Sequence, residues 1–196
     1  MRAIPGLTVF RPGDANETAA AWRLALERSG PSAFALTRQN LVTLDPADVG
    51  DGVAHGGYTL KDADGGQPQV ILLATGSEVQ LAMAARTTLS AQGVATRVVS
   101  MPSWELWNEQ SPAYRADVLP CDVPKLVIEA GCTQGWRGII GDNGDIIGID
   151  RFGESAPGDV VMEKFGFNVE NVIAKATALV TGKRVQVEMN DRAAAS

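Results

Sequence analysis

The chain has 196 residues, 45% of them hydrophobic, with 21 glycines and 10 prolines. That length and composition admit one or two globular domains with a sizeable core and many turns. With 17 basic against 23 acidic residues the formal net charge is −6, which leaves no basic stripe for a nucleic-acid backbone and no attraction to an anionic membrane surface.

In chain order, Leu7-Thr8-Val9-Phe10 reads as a short strand. Asp14 caps a helix, with Glu17 at capping-box spacing and Ala15, Ala19, Trp22, Ala25 and Leu26 as its apolar stripe. Gly30-Pro31 stops it, and Ala33 to Thr37 forms the next strand. Residues 46–68 are turn-rich and acidic, a connector with Gly57-Tyr58-Thr59-Leu60 as a short strand inside it. Val70-Ile71-Leu72-Leu73-Ala74 is a continuous apolar run, as expected for a strand buried on both faces. Ser77 and Gln80 have capping-box spacing at the start of a helix that Gly93 ends, with Leu81, Ala82, Ala85 and Leu89 inside. Strands at Thr96–Ser100, Lys125–Glu129 and Asp145–Ile149 follow, with a helix around Val160 to Phe165. Asn168 then caps a helix whose Val169, Val172, Ile173, Ala176, Leu179 and Val180 share one face; Gly182 ends it, and Lys183 and Arg184 sit near its negative end. Alternating strands and helices predict an α/β fold: a mostly parallel sheet with helices on both faces, preceded by a partial α/β segment.

No apolar run approaches the roughly 20 residues of a membrane helix, and Met1 to Pro12 lack a signal peptide's apolar stretch. The cytoplasm is the expected compartment. Cys121 and Cys132 are too few for a disulfide framework or a zinc site and are expected as buried free thiols.

Arg38 is the leading candidate for chemistry. It arrives where a strand ends, at the sheet rim where open α/β folds bind ligands. Its guanidinium there suits a phosphate or carboxylate, or a structural ion pair at a domain boundary. Thr75-Gly76-Ser77-Glu78 resembles a phosphate-binding turn, but no Gly-Lys-Ser/Thr follows and Glu78 would repel an anion, so a capped helix start is expected. His55 is the only histidine, so a nucleophile–His triad has no second candidate and a His-rich metal site is excluded; beside Gly56-Gly57 it reads as a solvated turn residue. Glu154 and Ser155 read as part of a structural loop, and Trp104, Trp107 and Trp136 as packing or an interface.

Arg2 to Pro12, Thr37-Arg38-Gln39-Asn40-Leu41, Ala74 to Val79 and Phe152 to Pro157 occur in the order in which similar runs occur in transketolase. Arg97 to Pro102 and Val127 to Gly131 add to the resemblance. It implies that residues 1–45 are the tail of a pyrimidine-binding domain and 69–184 the transketolase C-terminal domain, on either side of the 46–68 linker, while residues 185–196, which have no pattern, are expected to be a disordered tail. It also implies that Arg38 contacts the phosphate of a sugar substrate, with Thr37 standing where the family usually has serine. The parent enzyme transfers a two-carbon ketol unit between sugar phosphates, as a homodimer using thiamine diphosphate and Mg or Ca. The groups that hold and activate that cofactor lie upstream in the family. The chain is therefore expected to be a C-terminal fragment with no catalytic, cofactor-binding or metal residues, inactive alone and binding neither thiamine diphosphate nor metal. The alternatives are a noncatalytic regulatory or interaction module, or the C-terminal subunit of a split thiamine-dependent enzyme.

Overall fold

The computed structural model describes residues 1–182. The expectations for Lys183, Arg184 and the 185–196 tail lie outside the described residues. The N-terminal unit is a parallel pair of strands, β1 (Thr8–Phe10) and β2 (Ser32–Phe34), connected by helix α1 (Ala15–Glu27). Asp14 caps α1, its carboxylate accepting from the Glu17 amide at 2.8 Å.

The face of α1 differs from the expected stripe. Ala15, Ala19, Trp22 and Leu26 are exposed, whereas Glu17 and Ala21 are buried and Ala20, Leu24 and Ala25 pack against the core. Polar contacts rotate the helix. The Glu17 carboxylate is drawn inward by hydroxyls of the second unit, and Trp22 is left lying over Phe34 with ring centroids 4.4 Å apart.

After α2 (Pro46–Val49) and a 3-10 turn (Gly52–His55), the expected connector strand appears as β3 (Tyr58–Lys61). Then come β4 (Val70–Ala74), α3 (Glu78–Ala91), β5 (Thr96–Ser100), α4 (Trp104–Asn108), α5 (Pro112–Val118), β6 (Lys125–Ile128), α6 (Arg137–Ile140), β7 (Gly144–Ile147), α7 (Gly158–Lys164) and α8 (Val169–Thr181). The five-stranded sheet runs β3-β5-β4-β6-β7 and is parallel except for β3, which is antiparallel to β5. The architecture is thus the expected mostly parallel α/β sheet.

Alternation along central β4 divides the core. Val70, Leu72 and Ala74 pack with Ala82, Ala85 and Leu89 of α3 and Val172 and Ala176 of α8. Ile71 and Leu73 face the other side, with Trp107, Val118, Trp136 and Ile140. Each fully buried aliphatic side chain of this kind contributes roughly 1.5–3 kcal/mol of transfer free energy, so β4 is the strand the sheet depends on most. The Asn168 cap of α8 is as expected, accepting from the Asn171 amide at 2.8 Å, and Gly182 follows the helix in the left-handed conformation. Among the described residues, no helix is long and apolar enough to cross a membrane.

The two units are joined by backbone and buried charge. Arg11 donates its amide to the Pro102 carbonyl at 2.8 Å and accepts from the Gly76 amide at 2.9 Å. The Val9 amide donates to Glu105 at 3.0 Å.

Candidate functional site

β2 ends at Phe34, earlier than expected, so Arg38 stands on a loop beyond the carboxyl end of the parallel pair rather than on the strand end itself. Thr37, Arg38 and Gln39 with Gly158 of α7 line an open cavity of about 510 Å³. Arg38 is exposed, and among the described residues it forms none of the salt bridges of the molecule. A smaller cavity of about 210 Å³ adjoins it, between Leu36, Thr37 and Gln39 on one side and Arg11, Ser77 and Met162 on the other.

The Thr75–Glu78 turn is filled from within. The Arg11 guanidinium donates to the Thr75 carbonyl at 2.7 Å and to the Glu78 carboxylate at 2.5 Å. Gly76 has φ +62°, and a Cβ there would come within 2.9 Å of the Arg11 guanidinium carbon, so the turn needs glycine on both counts. The buried Glu78 carboxylate also accepts from the Ala130 amide at 3.0 Å and from Ser77 Oγ at 2.7 Å. The expected capping box at Ser77 and Gln80 is absent. Ser77 makes no side-chain cap and donates to Glu78 instead, while Gln80 Nε2 reaches across to donate to the Val42 carbonyl at 2.7 Å.

Three other expectations change in detail. Cys121 and Cys132 are both exposed, not buried; Cys121 lies in the turn after α5 and Cys132 in the loop after β6, outside both core layers. His55 is not merely solvated but stacks on Tyr114 with ring centroids 4.7 Å apart. The tryptophans do pack: Trp104 and Trp136 meet edge-to-face at 4.7 Å, and the Arg2 guanidinium lies 4.1 Å above the Trp104 ring. Glu154 is a surface hub, accepting from Lys164 at 2.6 Å and Arg151 at 2.9 Å; the Lys164 hydrogen bond holds its carboxyl below the ordinary range.

Sequence reasoning missed the buried acids that join the units. Glu17 accepts from Ser100 Oγ at 2.5 Å, Gly13 N at 2.5 Å and Tyr58 Oη at 2.7 Å. Burial raises its pKa above the ordinary carboxylate value; these three donors oppose the rise and Asp14 adds to it. Burial and the Glu17 charge likewise push the Tyr58 phenol upward. Glu129 is the counterpart at the other end of the junction, taking Arg2 Nη1 at 2.8 Å and Trp136 Nε1 at 2.5 Å. A Glu three residues after a helix cap gives one sign of Glu17; nothing local marks Glu129.

Among the described residues no group of three or more His, Cys, Asp or Glu side chains is placed to hold a metal ion.

The architecture defines a class: a mostly parallel α/β domain docked onto the end of a second α/β unit, with an open arginine loop beside their junction. The family model of the transketolase-like C-terminal domain matches residues 56–168, and that of the transketolase pyrimidine-binding domain matches residues 1–43. The transketolase of Halalkalibacterium halodurans is 50% identical over 187 residues, covering 93% of this chain and 28% of the relative. Transketolase 1 of Escherichia coli K12 is 46% identical over 183 residues, covering 92% and 28%. Pichia stipitis transketolase in complex with sedoheptulose 7-phosphate superposes with a TM-score of 0.84 at 38% identity, covering 92% of this chain and 26% of that one. A split-gene transketolase, described as an inactive β4 tetramer, superposes at 0.76 with 26% identity, covering 94% and 61%. The chain belongs to the transketolase family and spans about 28% of the length of the Halalkalibacterium halodurans and Escherichia coli relatives.

Proposed function

We propose that this chain is the C-terminal part of a transketolase, whose whole enzyme moves a two-carbon ketol unit between sugar phosphates, and that Arg38 supplies a contact to the substrate phosphate. The observation that carries the reading is the exposed Arg38 guanidinium on an open cavity, paired with none of the carboxylates among the described residues. A free fork of donors suits a phosphate dianion. A structural ion pair, the other use of an arginine at this junction, is made instead by Arg2 and Arg11.

Thiamine diphosphate and its divalent metal supply the carbanion chemistry when bound in the whole enzyme. In this reading they are held by upstream residues, and this chain contributes substrate orientation. In this reading the chain alone is inactive, since among the described residues the lining of the Arg38 cavity, Thr37, Arg38, Gln39 and Gly158, holds no acid–base pair. The exposed apolar groups Trp22, Leu26 and Val42 are covered in the whole enzyme by the remainder of the pyrimidine-binding domain, and the enzyme works as a homodimer. A second reading, a separately encoded C-terminal subunit, is favoured by the likeness to a split-gene transketolase chain, which this chain covers to 61%.

The test is ketol transfer from a ketose phosphate to an aldose phosphate, with thiamine diphosphate and magnesium present. The purified chain gives no transfer; the chain mixed with, or fused to, the upstream part of a transketolase does. In the active form Arg38→Ala lowers kcat/KM by about tenfold, the exposed-site end of the range for a charged hydrogen bond, with the loss in KM. Arg38→Lys is intermediate, since it keeps the charge and loses the fork. Turnover by the chain alone, or an unchanged KM in Arg38→Ala, overturns the reading.

A further inference from the structure

The loop that carries Arg38 is weakly fastened. Its near end is held by the Ala35 amide, which donates to the Phe10 carbonyl at 2.9 Å. Its far end is held at Leu44, whose amide donates to Asp14 Oδ2 at 2.7 Å and whose carbonyl accepts from Asn16 Nδ2 at 2.9 Å. Between these posts, across residues 36–43, every residue but Leu41 is exposed. One internal bond shapes it, the Gln39 amide donating to Thr37 Oγ1 at 3.1 Å. Among the described residues, the single hydrogen bond reaching this stretch from elsewhere comes from the other unit: Gln80 Nε2, in the first turn of α3, to the Val42 carbonyl at 2.7 Å.

An arginine that must meet a phosphate with both arms needs its backbone held. Ordering a free segment at the moment of binding subtracts from affinity. Here α3 is fixed on the central sheet through Val79, Ala82, Ala85 and Leu89, so Gln80 projects from a rigid base. Cavity lining points the same way: Thr37 and Gln39 of the loop face Ser77 and Glu78 at the start of the same helix.

We infer that Gln80 is a positioning residue for the sugar-phosphate site, through which the C-terminal domain holds the Arg38 loop in its binding geometry. The inference rests on Arg38 being the phosphate contact. It gives the C-terminal domain a part in substrate binding without placing any of its side chains on the substrate.

The experiment uses the 196-residue chain labelled with ¹⁵N, titrated with inorganic phosphate and with ribose 5-phosphate while the Arg38 Nε–Hε signal is followed, with ribose as the uncharged control. Variants are Arg38→Ala, Gln80→Glu and Gln80→Lys. Gln80→Glu is near-isosteric and has no proton to donate to Val42; Gln80→Lys restores a donor of similar reach. In the unmodified chain both phosphates shift the Arg38 signal and ribose does not, and Arg38→Ala abolishes phosphate binding. Gln80→Glu weakens binding of both phosphates by about 2- to 10-fold, the worth of one hydrogen bond, and speeds amide exchange at residues 41–43. Gln80→Lys returns both readouts toward the original. Unchanged affinity and exchange in Gln80→Glu overturns the positioning role while leaving Arg38 as the contact. Loss in Gln80→Glu that lysine fails to restore also overturns it, because packing and not donation was then removed. Phosphate binding that does not move Arg38, or that survives Arg38→Ala, overturns the Arg38 reading and the inference together.

Discussion

Replacing Glu17 by alanine lowers the unfolding free energy by about 3–5 kcal/mol, one of the largest effects expected of any single substitution in this chain. The carboxylate is fully buried and serves donors from both units: Gly13 N on its own side, and Tyr58 Oη and Ser100 Oγ from β3 and β5. Alanine takes the carboxylate acceptor from all three in a buried site and opens a void besides, and each group left unpaired costs roughly 1–3 kcal/mol. Glu17→Gln separates the hydrogen bonds from the charge. An amide turned with its oxygen toward Gly13 keeps that bond and offers its NH₂ to the two hydroxyl oxygens, whose own protons lose the carboxylate acceptor, so this variant recovers only part of what alanine loses. Urea denaturation is the measurement: the midpoint falls in the alanine variant at unchanged slope. An alanine variant as stable as the original removes Glu17 as the junction's anchor.

The same residue sets a pH dependence of definite sign. Burial raises the folded-state pKa of Glu17 above its ordinary carboxylate value, so the folded chain holds this proton more tightly than the unfolded one does. Its contribution to stability is then fully present below the ordinary carboxylate range and declines as pH rises through the raised folded value. Other groups titrate too, so the informative quantity is the stability difference between the original chain and Glu17→Gln. That difference is largest in acid and falls toward neutrality. A difference that grows with pH contradicts the buried-acid account.

Strands and long helices were legible because local patterns and tertiary needs agree in them. The apolar run of β4 and the 3.6-residue spacing of α8 each have one satisfactory solution. The α1 stripe failed for a physical reason. Ala15, Ala19, Trp22 and Leu26 form a regular apolar row, but the two-strand sheet beneath offers little to cover it, while Glu17 gains three hydrogen bonds by turning inward. Of the short helices α7 was anticipated but α2, α4, α5 and α6 were missed, although Ser111-Pro112 is a start signal, with the Ser111 hydroxyl capping the Tyr114 amide. At the candidate site, Arg38 could be picked out because its place after a strand and its neighbours carry a family pattern. Gln80 could not. The role proposed for it depends on a contact 38 positions away in sequence, and from spacing alone it reads as a capping partner for Ser77. The pairing of Glu129 with Arg2 is beyond local inference for the same reason, being 127 positions apart.

Glu129 carries the second large effect: Glu129→Ala destabilises the chain by about 3 kcal/mol and frees the N-terminal segment from the C-terminal domain. Its carboxylate stands at the end of β6, 4% exposed, and receives the Trp136 indole N–H at 2.5 Å and Arg2 at 2.7 and 2.8 Å, with Arg11 at 3.7 Å. The two arginines fare differently on its loss. Arg11 keeps Glu78 and the Thr75 carbonyl, so the middle of the junction survives. Arg2 has no second carboxylate among the described residues and retains only its stacking on the indoles, 4.1 Å above the Trp104 ring and 5.7 Å from the Trp136 ring. Exchange of amides in residues 2–7 therefore accelerates more than exchange around Arg11. Trp136→Phe keeps the ring and removes the donor, so the double variant costs less than the sum of the two single ones if the carboxylate and the indole act as a pair. Strict additivity of the two changes, or equal loosening along the whole of residues 2–12, means that the junction is held by packing rather than by this buried acid.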